Sequence, residues 1–319
     1  LTPAILAFLL SAATSAGGYP GSGVLDGYAE ETAPTGAVYS RGWSAEDRRA
    51  VQVELPRVLA RIEERLGRRL GRQFTTVLAP DGNELRRVAE DLGAKPPPAR
   101  LNVVGLALPA RSVLILDGAA FLGLEPFLPV LAHEVAHLVI HRQAGASIPR
   151  WLDEGVAGWV SGEQVPPGDL AYLAFLARVG GLYPVARLEY AFPEGHESTS
   201  LAYLESRLVV EYLAAAHQAA AVNRLLDLCE EGFPAGTAVE RVTGLSPEEF
   251  ERDFRRWVAA RASFLRALGS AVNPWTVAAL LAVVAVVRHL VVRRRRLRKL
   301  AEEESAEEEA AGGGPAGDP

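Results

Sequence analysis

Apolar and polar positions divide the chain into blocks of different period. AEDRRAVQVELPRVLARIEERLG, from Ala45 to Gly67, has the spacing of an amphipathic helix. Ser44 and Asp47 give it a capping-box-like start, and Pro56 is expected to split or kink it. QFTTVLAP predicts a short strand, and NELRRVAEDLG a helix ending at Gly93. After the proline-rich KPPPAR, the segment LNVVGLALPARSVLILD holds two apolar or β-branched runs around PARS, which is a hairpin signal. From Pro126 onward the pattern is helical. EPFLPVLAHEVAHLVIHRQ comes first, then IPRWLDEGVAGWV from near Pro149, then the amphipathic LAYLESRLVVEYLAAAHQ. Ser246-Pro247-Glu248-Glu249 combines an N-cap, a proline at the first helical position and a glutamate at the third. The expected fold class is α+β: a small mixed sheet with helices, followed by a mainly helical half.

The two ends of the chain differ from this middle. LTPAILAFLLSAATSAGG is an apolar run followed by small residues, and residues 1–16 read as a secretion signal, with an uncleaved anchor as the alternative. Residues 17–37 are rich in glycine and proline and read as a linker. A mainly apolar run from Trp275 to Val287 is followed by Arg288-His289 and three more apolar residues; because the long stem of Arg288 can snorkel, residues 271–292 are expected to cross a membrane as one helix, with a buried soluble helix as the alternative. Arg293 to Lys299 then mark a cytoplasmic side, and the acidic, low-complexity remainder of residues 293–319 is expected to be disordered. The folded domain is expected between residues 38 and 268.

Charge supports this partition. The seven basic residues from Arg288 to Lys299 cancel the seven acidic ones from Glu302 to Asp318, so the net charge of -6 belongs to residues 1–287. A mildly acidic domain offers no basic footprint for nucleic acid. With 319 residues, 49% of them apolar, the chain can bury a sizeable core. Its single cysteine, Cys229, excludes an intrachain disulfide and a multi-cysteine metal cluster, and reads as a buried thiol.

Chemistry concentrates in HEVAHLVIHRQAGASIPRWLDEG, His133 to Gly155. His133 and His137, four apart, share one helix face about one turn from each other, which suits two imidazoles on one small cation. Glu134 stands where it can take a proton from a water on that cation, the logic of the HExxH pattern. A satisfied polar stripe is the alternative, but a buried helix carrying these groups uncoordinated would bear a large desolvation cost. A catalytic zinc needs a third protein ligand, for which His141, Asp153 and Glu154 are the candidates. Three ligands on one straight helix fan too far apart, so His141 is expected at the helix C-terminal end, helped by the dipole. Asp153 and Glu154 point about 100° apart, so only one is expected to face the histidines, and spacing does not choose between them.

HEVAH, a loop and PRWLDEGVA together resemble the gluzincin metallopeptidases of the peptidase MA clan, both the aminopeptidase branch and the smaller bacterial peptidase-MA-like domains. The resemblance implies a zincin-like fold, Zn²⁺ as cofactor, Glu154 as third ligand beside His133 and His137, and Glu134 as general base. LAYLESRLVVEYL and GLSPEEFERDFRRWV resemble later helices of such domains, so about 220 residues from Val38 to Leu265 fit one. GLALPARSVLILDGAAF lacks the glycine-rich exopeptidase motif of the aminopeptidase branch. The resemblance also implies a tyrosine or histidine donor to the oxyanion; Tyr203, opening the matching helix, is the candidate, with His196 as the weaker one. Asp153 either orients a ligand imidazole or satisfies amides in the first turn of its helix, the second being slightly favoured. Arg150 and Trp151 read as packing and helix-start residues.

The expected activity is hydrolysis of peptide bonds by a zinc-activated water, on a peptide or protein substrate lying along a sheet edge of the 101–117 hairpin. One C-terminal helix would hold the protein in the membrane, with the catalytic domain periplasmic or extracellular and no nucleic acid partner. The competing expectations are a non-catalytic zinc-containing surface scaffold and a di-iron helical protein. The latter needs a second Glu-x-x-His helix pair, which the sequence lacks.

Overall fold

The computed structural model describes residues 23–95, 103–143, 147–190, 196–261 and Arg288. Those up to Arg261 belong to one unit. Its sheet has five strands: β1 (Ala29–Ala33), β2 (Gly36–Ser40), β3 (Thr75–Ala79), β4 (Gly105–Leu108) and β5 (Val113–Asp117), in the order β1-β2-β3-β5-β4. β2, β3 and β5 run parallel, while β1 and β4 pair antiparallel at the two edges. The sheet is mixed, as the sequence predicts.

Strand sequence explains strand position. β3 (TTVLA) and β5 (VLILD) are buried at every residue, as strands covered on both faces must be. Alternate residues serve opposite layers. Val77, Leu106 and Ile115 pack with Leu85 and Val88 of helix α2 (Gly82–Asp91). Leu78, Ala107, Leu114 and Leu116 pack on the other side, with helix α1 (Ala45–Leu66) and helix α3 (Leu124–Ile140).

Two expectations need correction here. β1 lies inside the segment read as a linker, because an edge strand exposing Ala29, Glu30 and Thr32 needs no apolar alternation to announce it. Pro56 does not split α1, which runs unbroken for 22 residues. The proline deprives the Gln52 carbonyl of a helical partner, a loss offset by burial of Leu55, Val58, Ile62 and Leu66 and by caps at both ends. At those ends Ser44 Oγ accepts from Asp47 N at 3.0 Å, and Gly67 closes the helix in the left-handed region.

The second half is helical: α4 (Arg150–Ser161), α5 (Pro167–Val179), α6 (Val185–Tyr190), α7 (His196–His217), α8 (Ala219–Glu230), α9 (Ala235–Thr243) and α10 (Pro247–Arg261). The Ser246–Glu249 capping box forms in both directions, at 2.9 and 3.3 Å. Cys229 is buried, which pushes its thiol up to about 11. Helix α4 lies between α3 and α7, and its approach to α7 depends on Gly155. A Cβ there would stand 2.4 Å from the Ser206 carbonyl oxygen and 2.8 Å from Val210 Cγ2. Gly155→Ala is therefore expected to destabilise the fold by about 1–3 kcal/mol, read as a lower urea midpoint; an unchanged midpoint would refute the close packing.

Among the described residues no helix is long and apolar enough to cross a membrane. The span expected at 271–292 lies outside the described residues except for Arg288, as do the signal at 1–16 and the tail at 293–319.

Candidate active site

Helix α3 is buried without interruption from Val130 to Ile140, so its polar residues in that stretch must find partners inside the protein. His133 and His137 lie on one face with ring centroids 4.8 Å apart. Glu154, from α4, brings Oε2 to 3.5 Å from His133 Nε2 and 3.8 Å from His137 Nε2. One ligand atom from each of the three lies within 4.8 Å of the others. Both Nε2 atoms and both Glu154 oxygens are buried with no hydrogen-bond partner among the described residues. Buried lone pairs left unsatisfied are costly, and two imidazole nitrogens with one carboxylate oxygen are the donor set of a catalytic zinc with an open fourth position. The residues fit that ion.

The opposite nitrogens of the two rings are held by carboxylates. His137 Nδ1 stands 2.8 Å from Asp153 Oδ1, and His133 Nδ1 3.1 Å from Glu163 Oε1. With each Nδ1–H donating to its carboxylate, the Nε2 lone pairs face the cluster. Asp153 corrects the favoured expectation: it is buried, hydrogen-bonded to His137, and its Oδ2 stands 3.0 Å from His141 Nε2 as an ion pair. Because α4 is buried on nearly all sides from Trp151 to Gly158, two adjacent carboxylates can both face α3, one toward the ligand edges and one toward the far edges of the rings. His141 caps the C-terminus of α3 as expected, outside the ligand group. Burial opposes ionisation of Asp153, but His137 and His141 outweigh it and hold its pKa well below the usual range. Burial likewise pulls His133 down, and the carboxylates of Glu163 and Glu154 outweigh it, raising the imidazole well above its ordinary value. These surroundings favour positive charge at His133.

Glu163 was not singled out by the sequence. It lies beyond the end of α4, where Gly162 adopts φ 79° and turns the chain back, and that glycine is the one local signal of its return. Glu163→Gln is expected to weaken zinc binding by about 10–100-fold, measured by competition with a chromophoric chelator. Unchanged affinity would reduce Glu163 to a surface carboxylate.

Glu134 is fully buried and is held by the edge strand. Its Oε2 accepts from Ala107 N at 2.7 Å, while Oε1 has no hydrogen-bond partner among the described residues. Gly105 makes the approach possible, since a Cβ there would stand 2.8 Å from Glu134 Cγ. Burial pushes the Glu134 carboxyl up to about 7, against the pull of His137, His133 and the Ala107 amide. A divalent cation alongside would lower it again.

Tyr203, on α7, completes the cluster. Its hydroxyl accepts from Arg150 Nη2 at 2.8 Å, and Arg150 Nε stands 3.8 Å from Glu154 Oε1. Burial and the Glu154 carboxylate hold the phenol well above its ordinary pKa, so it remains a proton donor at neutral pH. Arg150 does begin α4, as expected, but it also links the third carboxylate to the tyrosine, a role its position alone does not reveal. Trp151 is a packing residue, fully buried. The His196 side chain lies outside the described residues. The arrangement can hold a dication, present a carboxylate base beside it and offer a hydroxyl donor across from it.

Residues 105–260 match the family model of the Peptidase MA superfamily, a stretch running from β4 into α10 and including every site residue above. The structure is similar to that of an M1 zinc metallopeptidase from Deinococcus radiodurans, solved as a mutant bound to a Tyr-Ser-Ala substrate. Identity is 18% and the TM-score 0.39, over 74% of this chain and 52% of that one, so this chain spans about half the length of that protein. No curated protein matches the chain.

Proposed function

We propose that this chain, which carries a gluzincin peptidase MA-like domain, is a zinc-dependent peptidase. The observation that carries the reading is the convergence of buried ligand atoms of His133, His137 and Glu154, which have no hydrogen-bond partner among the described residues. Zinc bound there would polarise a peptide carbonyl and make its bound water acidic enough to serve as nucleophile near neutral pH.

The protein's own groups supply the remainder. Glu134 Oε1, which has no hydrogen-bond partner among the described residues while Oε2 is tied to Ala107 N, takes the proton of the attacking water and returns it to the leaving amine. Asp153 and Glu163 keep the imidazoles in one tautomer and orientation. Tyr203 donates to the oxyanion. The Ala107 amide points from the free edge of β4 to Glu134, so a peptide added as a further strand at that edge would pass directly by the base.

The protein acts outside the cytoplasmic membrane in this reading. The apolar residues 271–292 followed by Arg293 to Lys299 support a single-pass anchor with the tail on the cytoplasmic side, and residues 1–16 a secretion signal. Metal analysis of the purified full chain is the test. Stoichiometric zinc, loss of peptide-library cleavage on chelation and its return with zinc are the expected results. A protein that purifies folded without zinc and cannot be loaded overturns the proposal.

A further inference from the structure

Five large apolar side chains stand exposed among the described residues, and three of them, Tyr172, Phe175 and Val179, lie on α5. Spaced by three and four, they form one stripe along the helix. The opposite side of α5 is also apolar: Leu173 and Ala174 are fully buried, and Leu170, Leu176 and Ala177 pack against the core. Asp169 and Arg178 are its only charged residues. A surface helix normally carries its polar residues outward, and one that is apolar all round is covered by something.

We infer that the Tyr172–Phe175–Val179 face of α5 rests on the lipid surface of the membrane that the chain's C-terminal apolar segment enters. The inference rests on the anchored reading above and extends it to an interaction surface on the folded domain. Helix α5 packs against α10, and Arg178 Nη2 donates to the Ala259 carbonyl at 2.6 Å, so the Val179 end of the stripe adjoins the end of α10. The chain continues from Arg261, and only nine residues, 262–270, lead to the start of the apolar segment. A tether of nine residues spans at most about 32 Å even when fully extended.

A weak apolar stripe suffices there, because tethering supplies a high effective concentration. Tyrosine and phenylalanine suit the boundary between headgroups and acyl chains. Against a second copy of the chain the stripe is too small: aromatic side chains bury about 150–250 Å² each, and these are already half covered, whereas a stable interface takes about 800 Å² per partner.

The test uses the full chain reconstituted in phosphatidylcholine–phosphatidylglycerol vesicles. Cys229 is 1% exposed, so a nitroxide reacts selectively at an introduced cysteine. Phe175→Cys carries the label, Tyr172→Cys is a second position, and Arg57→Cys on α1 is the water-exposed control, its side chain being 67% exposed. Labels at 175 and 172 are expected to collide more with oxygen and less with a water-soluble nickel chelate than the label at 57. Nickel accessibility at 175 and 172 equal to that at 57, in protein that floats with the vesicles, overturns the inference and leaves the anchor intact. Spin–spin broadening at 175 assigns the face to a second copy and overturns it equally. Protein that does not float removes the anchor, and the inference with it.

Discussion

Glu134→Gln is expected to leave a folded, zinc-loaded protein whose peptide hydrolysis is lowered by about 10²–10⁴-fold, the usual worth of a positioned general base. Glutamine has the shape of glutamate, and its amide oxygen can still accept from Ala107 N, the 2.7 Å bond that ties this side chain to β4. Gly105 leaves the same room for it. Only the capacity to receive a proton is gone. Glu134 is not one of the three converging ligand residues, so zinc content is expected to be unchanged. Wild-type turnover in the zinc-loaded variant would remove Glu134 from the chemistry and favour a scaffold on a peptidase frame.

The same substitution has a second readout in the metal-free protein. Burial raises the Glu134 carboxyl from 4.5 to about 7, so the unfolded chain releases this proton earlier than the folded one. Its contribution to stability is present in full below about pH 4.5 and is lost as pH rises through about 7. Metal-free Glu134→Gln should therefore gain stability relative to metal-free wild type between those values. Parallel stability curves for the two proteins across pH 4–8 would contradict a carboxyl whose pKa burial has raised.

How much of this site can be read in the sequence depends on how local each contact is. His133, Glu134 and His137 are legible because one helical turn fixes their relation. Glu154 is chosen over Asp153 by resemblance to known peptidases, since spacing along a helix cannot tell which neighbour a third element will meet. Asp153, Glu163 and Arg150 owe their roles to how α4 packs: it is enclosed by α3 and α7, and the chain after it turns back at Gly162. None of that leaves a periodic trace. The sheet divides in the same way. β3 and β5 declare themselves as largely apolar runs, whereas β1 is an edge strand that exposes Ala29, Glu30 and Thr32 and reads as linker. Pro56 marks a helix break by propensity, but tertiary burial of the turns around it decides otherwise.

Tyr203→Phe is expected to lower kcat by about 10²–10³-fold with little change in KM, the loss found when one oxyanion donor is removed. The argument begins with Arg150. Its guanidinium donates to the tyrosine oxygen, and the acceptor side of that hydroxyl is thereby engaged, directing the phenolic proton toward the Glu154 side of the cluster, where a substrate oxyanion would form. A donor that matters only to the developing oxyanion changes kcat and not ground-state binding, which separates this role from packing. Phenylalanine keeps the ring and its contact with the Arg150 guanidinium, at 5.7 Å from the ring centre, so the fold and the zinc content should persist. Arg150→Gln should reproduce part of the kcat loss through a misdirected hydroxyl, and Arg150→Lys should recover some of it, because an ammonium can still donate to the tyrosine oxygen. A Tyr203→Phe enzyme with normal kcat would leave the oxyanion to the metal and the peptide-binding edge alone, and would make the Arg150–Tyr203 bond a structural tie between α4 and α7.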